Sequence, residues 1–287
     1  MKIFDIHTHG ISGHDTQTQS ADDILKIAEI HGSHGVSDII PTIYPAPIES
    51  MRQNMAAVSK AMAIQKRSKG KAARISGVYL EGPFLNSSKC GALDASSFLA
   101  PDENLFRQLV DGYENIIKII TVAPELNESL ELIKIISDMG IIVSMGHSDA
   151  TYKESEAGYN AGARGITHLF NAMRGIHHRE PGIAGFGLMN KDIYVEVIAD
   201  LFHLDQKIVD FIFNTKNDDK IIVISDSIRD SMITGHSEEI RNESSNLIGG
   251  SMTVTEAINL LINRGLNKES VFKAVSENPE TYLHINE

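Results

Sequence analysis

Short apolar runs alternate along this chain with longer stretches whose apolar residues recur at helical spacing. The first run, Lys2-Ile3-Phe4-Asp5-Ile6, is dense enough in apolar residues for a buried strand. It is followed by Ala21-Asp-Asp-Ile-Leu-Lys-Ile-Ala-Glu-Ile30, which reads as a helix over 21–32. The same reading gives strands at 36–40 (closed by Pro41), 74–80, 116–122 (ended by Pro124), 141–144, 165–168, 194–198 and 221–224. Helices are predicted over 48–65, 102–110, 127–139, 151–161, 205–215, 254–264 and 268–276. Gly140 and Gly162 serve as helix stops. Eight strands, each followed by helix or loop, call for a parallel sheet with helical crossovers. Eight such units in 287 residues fit a (β/α)8 TIM-type barrel, a single domain over residues 1–287. An open doubly wound sheet would want a glycine-rich phosphate turn after the first strand. Here that turn reads His7-Thr8-His9-Gly10, which favours the barrel. Residues 234–247 are polar and are expected to form a flexible insert or a small hairpin.

Composition narrows the classes. The chain is 42% apolar, and 26 basic against 38 acidic residues give a formal charge of -12. No basic stripe stands out, so nucleic acid is not an expected partner. Cys90 is the single cysteine, which rules out an intrachain disulfide and suits a reducing compartment. No apolar stretch approaches membrane-span length, and the N-terminus carries no secretory pattern. The expectation is a soluble cytoplasmic protein without a membrane partner.

Polar residues with ligand chemistry follow the predicted strands. In Asp5-Ile6-His7-Thr8-His9 the two histidines are one residue apart, and alternate residues of a strand point the same way. Glu81 follows the third strand, His147 the fifth, His168 the sixth and Asp226 the eighth. Each alone reads equally well as a helix cap, a turn residue or a satisfied core histidine. Together they share the C-terminal rim of one barrel, where barrel active sites lie. Imidazole and carboxylate suit zinc, and also iron, cobalt or manganese. Such a set can hold one or two divalent ions and activate water for attack on a carbonyl. A carboxylate beside that water can carry its proton to a leaving amine, and Asp226 is the candidate.

Four segments carry a family resemblance: Tyr79-Leu-Glu-Gly-Pro-Phe-Leu-Asn86, Gly146-His-Ser-Asp-Ala-Thr151, Thr167-His-Leu-Phe-Asn-Ala-Met173 and His178-Arg-Glu-Pro-Gly182. Together, and in order through to Glu277-Asn-Pro-Glu280, they resemble N-acetylglucosamine-6-phosphate deacetylase, a family within the metal-dependent amidohydrolases. The resemblance implies a (β/α)8 barrel that hydrolyses the acetamide of a phosphorylated amino sugar. It implies metal ligation by Glu81, His147 and His168, with Asp226 as the catalytic aspartate. His7 and His9 match the pair found in the family's two-metal members. It further implies sugar-phosphate contacts from Asn171 and Ala172, a phosphate contact from Arg179, and substrate contacts from Asp200 and His203. Ile248, Gly249 and Gly250 resemble the last substrate loop, and Ala92 stands in another substrate-contacting segment. By the same resemblance the protein is expected to be a homodimer, with a phosphate-binding residue supplied across the interface.

Two departures stand out. The family's Lys-Gly-Ala-His segment is here Cys90-Gly91-Ala92-Leu93, so a histidine that helps polarise the substrate carbonyl is replaced by Leu93. The family's Asp-Gly is Asp200-Leu201. The family also usually carries a β-sandwich built from both chain ends, and this chain reads as the barrel alone. The alternatives are an amidohydrolase acting on a different amide, cyclic amide or ester, and a non-catalytic barrel that senses a sugar phosphate.

Overall fold

The computed structural model describes residues 1–67, 70–232, 239–242 and 246–284. Eight parallel strands follow one another around a barrel: β1 (Phe4–Thr8), β2 (Asp38–Ile43), β3 (Val78–Leu80), β4 (Ile117–Val122), β5 (Ile142–Met145), β6 (Gly165–Ile166), β7 (Tyr194–Ile198) and β8 (Ile221–Ile224). Closure between β8 and β1 is made just past the strand ends. The Asp226 amide donates to the His7 carbonyl at 2.9 Å, and the His9 amide donates to the Ser227 carbonyl at 2.7 Å.

Helices α1 (Ala21–Ser33), α2 (Ile48–Gln65), α3 (Glu103–Val110), α4 (Ser129–Asp138), α5 (Tyr152–Ala161), α6 (Gly182–Met189), α7 (Gln206–Thr215), α8 (Val254–Asn263) and α9 (Lys268–Val275) pack outside. Their starts follow the capping logic of the sequence. Ser20, Asp102, Asp205 and Asn267 each accept a first-turn amide, and Thr151 and Thr253 form capping boxes with Glu154 and Glu256.

Two apolar layers result. The larger joins the outer strand faces to the helices, with Ile24, Met55, Phe106, Ile133, Phe186 and Leu261 among its buried members. The smaller fills the barrel with Phe4, Ile6, Ile40, Tyr79, Ile119, Ile142, Tyr194 and Ile222. A last helix, α10 (Glu277–Leu283), plugs the lower end by inserting Tyr282 against Tyr194, ring centroids 4.8 Å apart.

Several elements differ from the sequence expectation. β2 runs through Pro41 instead of stopping before it. Pro41 pairs with Thr8 where the β1–β2 register shifts, so its missing N–H costs no ladder bond there. The third strand is split into Arg74–Ile75 and Val78–Leu80. At Gly77 between them, a Cβ would lie 2.5 Å from Lys118 Cγ and 2.7 Å from the Ile116 carbonyl. Helix α6, Gly-Ile-Ala-Gly-Phe-Gly-Leu-Met, has no polar face, and its glycine content hides it from a periodicity reading. Gly187 lets it lie close on β6 and β7, since a Cβ there would press on Ile166 and Leu169 at 3.2 Å. A short hairpin, Gly10–Ile11 with His14–Asp15, and α10 were also not expected. Residues 234–238 and 243–245, part of the expected insert, lie outside the described residues; beside them Arg241 pairs antiparallel with Leu247. No helix among the described residues is long and apolar enough to cross a membrane.

Candidate active site

The six ligand candidates converge at the C-terminal rim. Two groups form, His7 with His9 and Asp226, and Glu81 with His147 and His168, each with its ligand atoms within 4.8 Å of one another. Glu81 belongs to both neighbourhoods. Its Oε1 lies 2.9 Å from His168 Nε2 and 3.2 Å from His147 Nε2, while its Oε2 lies 3.2 Å from His9 Nε2. The Nε2 atoms of His7 and His9 are 3.2 Å apart, and those of His147 and His168 are 3.1 Å apart. Neutral imidazole nitrogens do not crowd in this way without a proton or a cation between them.

The opposite edges of the rings are tied down. His7 Nδ1 meets Glu196 Oε2 at 3.0 Å, His9 Nδ1 the Thr42 carbonyl at 3.0 Å, and His147 Nδ1 the Lys89 carbonyl at 2.9 Å. His168 Nδ1 is buried without a hydrogen-bond partner among the described residues. With Nδ1 as the donor, each tied ring presents its Nε2 lone pair inward, the arrangement a metal-ligating histidine needs. The donor set, four imidazoles with two carboxylates, fits divalent transition-metal chemistry.

Backbone conformation supports the same point. His147, His168 and Asp226 have φ of 44°, 31° and 49°, in the left-handed region that non-glycine residues avoid. Each sits at the sharp turn where a strand ends and its side chain must face the barrel axis. Such strain costs on the order of 1–3 kcal/mol per residue and concentrates at functional sites.

The electrostatics are those of a dense ionic cluster. Burial opposes charge on Glu81, but hydrogen bonds from His147, His168 and His9 hold its carboxyl well below the usual range. Asp226 is lowered too, against burial, by His7 and His9. Burial likewise works against protonated His9 and His168, yet Asp226 and Glu81 push His9 up to about 10, and Glu81 above all pushes His168 up to about 9.

A cavity of about 760 Å³ opens over the cluster. Ala92, Asn171, Ala172, His203, Ile248 and Gly249, expected from the sequence to contact substrate, line this cavity. Leu93 lines it as well. Gly91 brings its loop over the site, where a Cβ would lie 3.1 Å from that of Ala172. Asp200 is buried behind His203, its Oδ2 3.0 Å from His203 Nδ1. Gly250 stands behind Asp226, its amide donating to the Asp226 carbonyl at 2.8 Å. Arg179 is not brought into this cavity. It is exposed on the loop before α6, with Nη1 2.9 Å from His178 Nε2.

Sequence reasoning missed Asp15, Gln17, Tyr44, Arg229 and Asn242, which also line the cavity. Tyr44 directly follows β2, whose end the sequence placed at Ile40, Asp15 lies on the short hairpin, and the others come from loops. It also missed Glu125, which accepts from Asn86, Ser148 and the Asp149 amide and so ties together the loops carrying Glu81 and His147. Glu196 did have a signal: a carboxylate among the apolar residues of Tyr194-Val-Glu-Val-Ile198, in phase with the barrel-facing Tyr194 and Ile198.

A parallel eight-stranded barrel with clustered imidazoles and carboxylates on its C-terminal rim is the architecture of a metal-dependent hydrolase. The amidohydrolase family model matches residues 2–286, and the chain belongs to that family. Among curated relatives, it is 28% identical to N-acetylgalactosamine-6-phosphate deacetylase of Escherichia coli O157:H7, over 98% of this chain and 77% of that protein. It is 34% identical to N-acetylglucosamine-6-phosphate deacetylase of Vibrio furnissii, a match covering 72% of this chain and 51% of that protein. For the Bacillus subtilis enzyme of that name the figures are 33%, 79% and 57%. The matches to the latter two thus span only about half of those relatives' length. The crystal structure of N-acetylglucosamine-6-phosphate deacetylase from Thermotoga maritima superposes with a TM-score of 0.87 at 27% identity, covering 99% of this chain and 78% of that one.

Proposed function

We propose that this amidohydrolase removes the acetyl group from an N-acetylated amino-sugar 6-phosphate, with N-acetylglucosamine 6-phosphate giving glucosamine 6-phosphate and acetate. The observation that carries this reading is the pair of buried ligand groups sharing Glu81 at the floor of a cavity lined by Asn171 and Ala172. The relatives' names supply the substrate class.

Glu81, His147 and His168 would hold one divalent ion, and His7, His9 and Asp226 a second, with zinc the best match to the donors. Bound there, such ions supply Lewis acidity toward an amide carbonyl and acidify water. The chain's own groups do the rest. Asp226 has the most exposed side chain of the six ligand candidates, 13% against 7% for His9 and 3% for Glu81. Its carboxylate can take a proton from the attacking water and deliver it to the nitrogen as the C–N bond breaks, leaving acetate and a free amine. Asn171, Ala172 and Gly249 position the sugar, with glycine permitting close backbone approach. Asp200 orients the His203 ring toward the ligand. Arg229 brings a guanidinium to the cavity, suited to an anionic group. Arg179, exposed outside its own cavity, suits a phosphate contact across a homodimer interface. The single Cys90 fits a cytoplasmic location.

Leu93 favours a second reading, the same chemistry on a different amide. It places an apolar wall where the resemblance implies a carbonyl-polarising histidine.

The test is acetate release from the 6-phosphates of N-acetylglucosamine and N-acetylgalactosamine by protein of measured metal content. Turnover is expected to fall about 10²–10⁴-fold in Asp226→Asn, the usual worth of a positioned general acid–base. Metal-loaded protein inactive on both phosphates would reject the sugar-phosphate reading and leave the second.

A further inference from the structure

Glu196 is a carboxylate sealed inside the barrel, 1% exposed, on the seventh strand one turn of the pleat below the rim. A buried carboxylate is retained only where its partners compensate for lost water. Its Oε2 lies 3.0 Å from His7 Nδ1. Its Oε1 accepts from the Tyr79 hydroxyl at 3.1 Å. Tyr79 is fixed in turn by Thr121 at 3.0 Å and Thr167 at 2.9 Å, and Thr167 donates to Ser144 at 2.8 Å. The carboxylate therefore stands on a closed network of buried hydroxyls spanning four strands, with a single orientation available to it.

The four candidate histidines are not treated alike. At Nδ1, His9 and His147 meet backbone carbonyls, His168 has no partner among the described residues, and only His7 meets a carboxylate. A carboxylate does two things that a carbonyl does less well. It holds the Nδ1–H tautomer, leaving the Nε2 lone pair toward His9 and Asp226, and its charge makes that lone pair more basic.

We propose that Glu196 is the positioning residue of the second metal site: through His7 it fixes the tautomer and raises the donor strength of the His7, His9 and Asp226 group, and so decides whether this chain binds a second divalent ion. This rests on the reading that those three residues hold an ion. Glu196 makes no side-chain hydrogen bond to Glu81, His147 or His168 among the described residues, so its effect is expected to fall mainly on the His7, His9 and Asp226 group.

The experiment is zinc titration of chelator-stripped full chain, followed by a competing chromophoric chelator and by elemental analysis after desalting. Wild type, Glu196→Leu and Glu196→Gln are compared. Wild type is expected to bind about two ions per chain in two steps. In Glu196→Leu the first step stays and the second weakens about 10–100-fold, the usual effect of losing a ligand's hydrogen-bond partner. Glu196→Gln, which can still accept from Nδ1 but lacks the charge, falls between. The urea midpoints of the metal-free proteins separate this from a merely structural role. Glu196→Leu leaves the Tyr79 hydroxyl and His7 Nδ1 without their partner, so its midpoint is expected to fall, and that of Glu196→Gln to fall less. A lowered midpoint with an unchanged second step would overturn the proposal. A second ion held equally tightly by all three proteins would overturn it while leaving the two-ion reading intact. One ion in wild type would remove both. Should neither variant fold, long-range proton–nitrogen NMR of zinc-loaded wild type decides: His7 protonated on Nδ1 is expected, and His7 protonated on Nε2 refutes the proposal.

Discussion

Replacing Glu81 by glutamine in the metal-free protein should change how stability depends on pH, by an amount the site geometry sets. Glu81 accepts from His168 at 2.9 Å and from His147 and His9 at 3.2 Å each, and is 3% exposed. Burial disfavours a charged His168, but Glu81 leads the groups that raise it from 6.5 to about 9. A raised histidine stabilises the fold fully below its unfolded pKa, and that contribution is lost as pH climbs through the folded one. Between those values the native state holds one more proton than the unfolded chain, so stability falls by about 1.4 kcal/mol per pH unit. His9 is raised to about 10 against burial, by Asp226 first and Glu81 second, and can add as much again. Lys216 acts oppositely, since burial lowers it to about 7 and its contribution to stability grows above that pH. It is common to both proteins and cancels in their difference. In Glu81→Gln the amide carries no charge, and His168 loses its main support. The stability gap between wild type and variant should therefore narrow from pH 7 to 9 by about 1.4 kcal/mol per pH unit, or up to about 2.7 if His9 follows. Urea unfolding of chelator-treated proteins, monitored by circular dichroism and extrapolated linearly, measures it. A gap that stays constant or widens with pH would refute the reasoning. With metal restored the wild-type trend should reverse, because ligating histidines must be deprotonated.

Other outcomes follow from separate features. Gly250→Ala should cost about 1–3 kcal/mol in urea unfolding and reduce turnover, since its Cβ would lie 1.8 Å from the Ser225 carbonyl beside Asp226; unchanged values would contradict that packing. Tyr282→Ala should lower stability by about 3–5 kcal/mol by emptying the lower barrel, with kcat per folded molecule preserved. Leu93→His is expected to raise kcat/KM for N-acetylglucosamine 6-phosphate; no gain would reject the view that this leucine limits deacetylation. Chelation should lower the unfolding temperature, corresponding to about 4 kcal/mol when free metal had stood at a thousandfold its Kd; an unmoved transition would argue against tight binding.

The barrel and the six ligand candidates were legible in the sequence for one physical reason. A parallel barrel strand is an apolar run, and its end is where polar side chains can face the axis, so His7, His9, Glu81, His147, His168 and Asp226 announce themselves by position. Most element boundaries followed from the same alternation and from side-chain caps. What stayed hidden depends on contacts between residues distant along the chain. Pro41 is tolerated within β2 because of a register shift against β1. Gly187 of α6 makes sense only when β6 and β7 lie beneath it. Tyr44 and Asp15 reach the cavity because β2 runs past Pro41 and a short hairpin follows β1, and Arg229 from a loop with no periodic signal, while Arg179, placed by motif alone, is not among the lining residues. The sequence by itself determined which residues could ligate and where along the barrel they stand. Only the tertiary structure decided that Glu81 lies between two ligand groups and that Glu196 stands behind His7, because those distances arise from barrel closure and strand stagger, which no local pattern encodes.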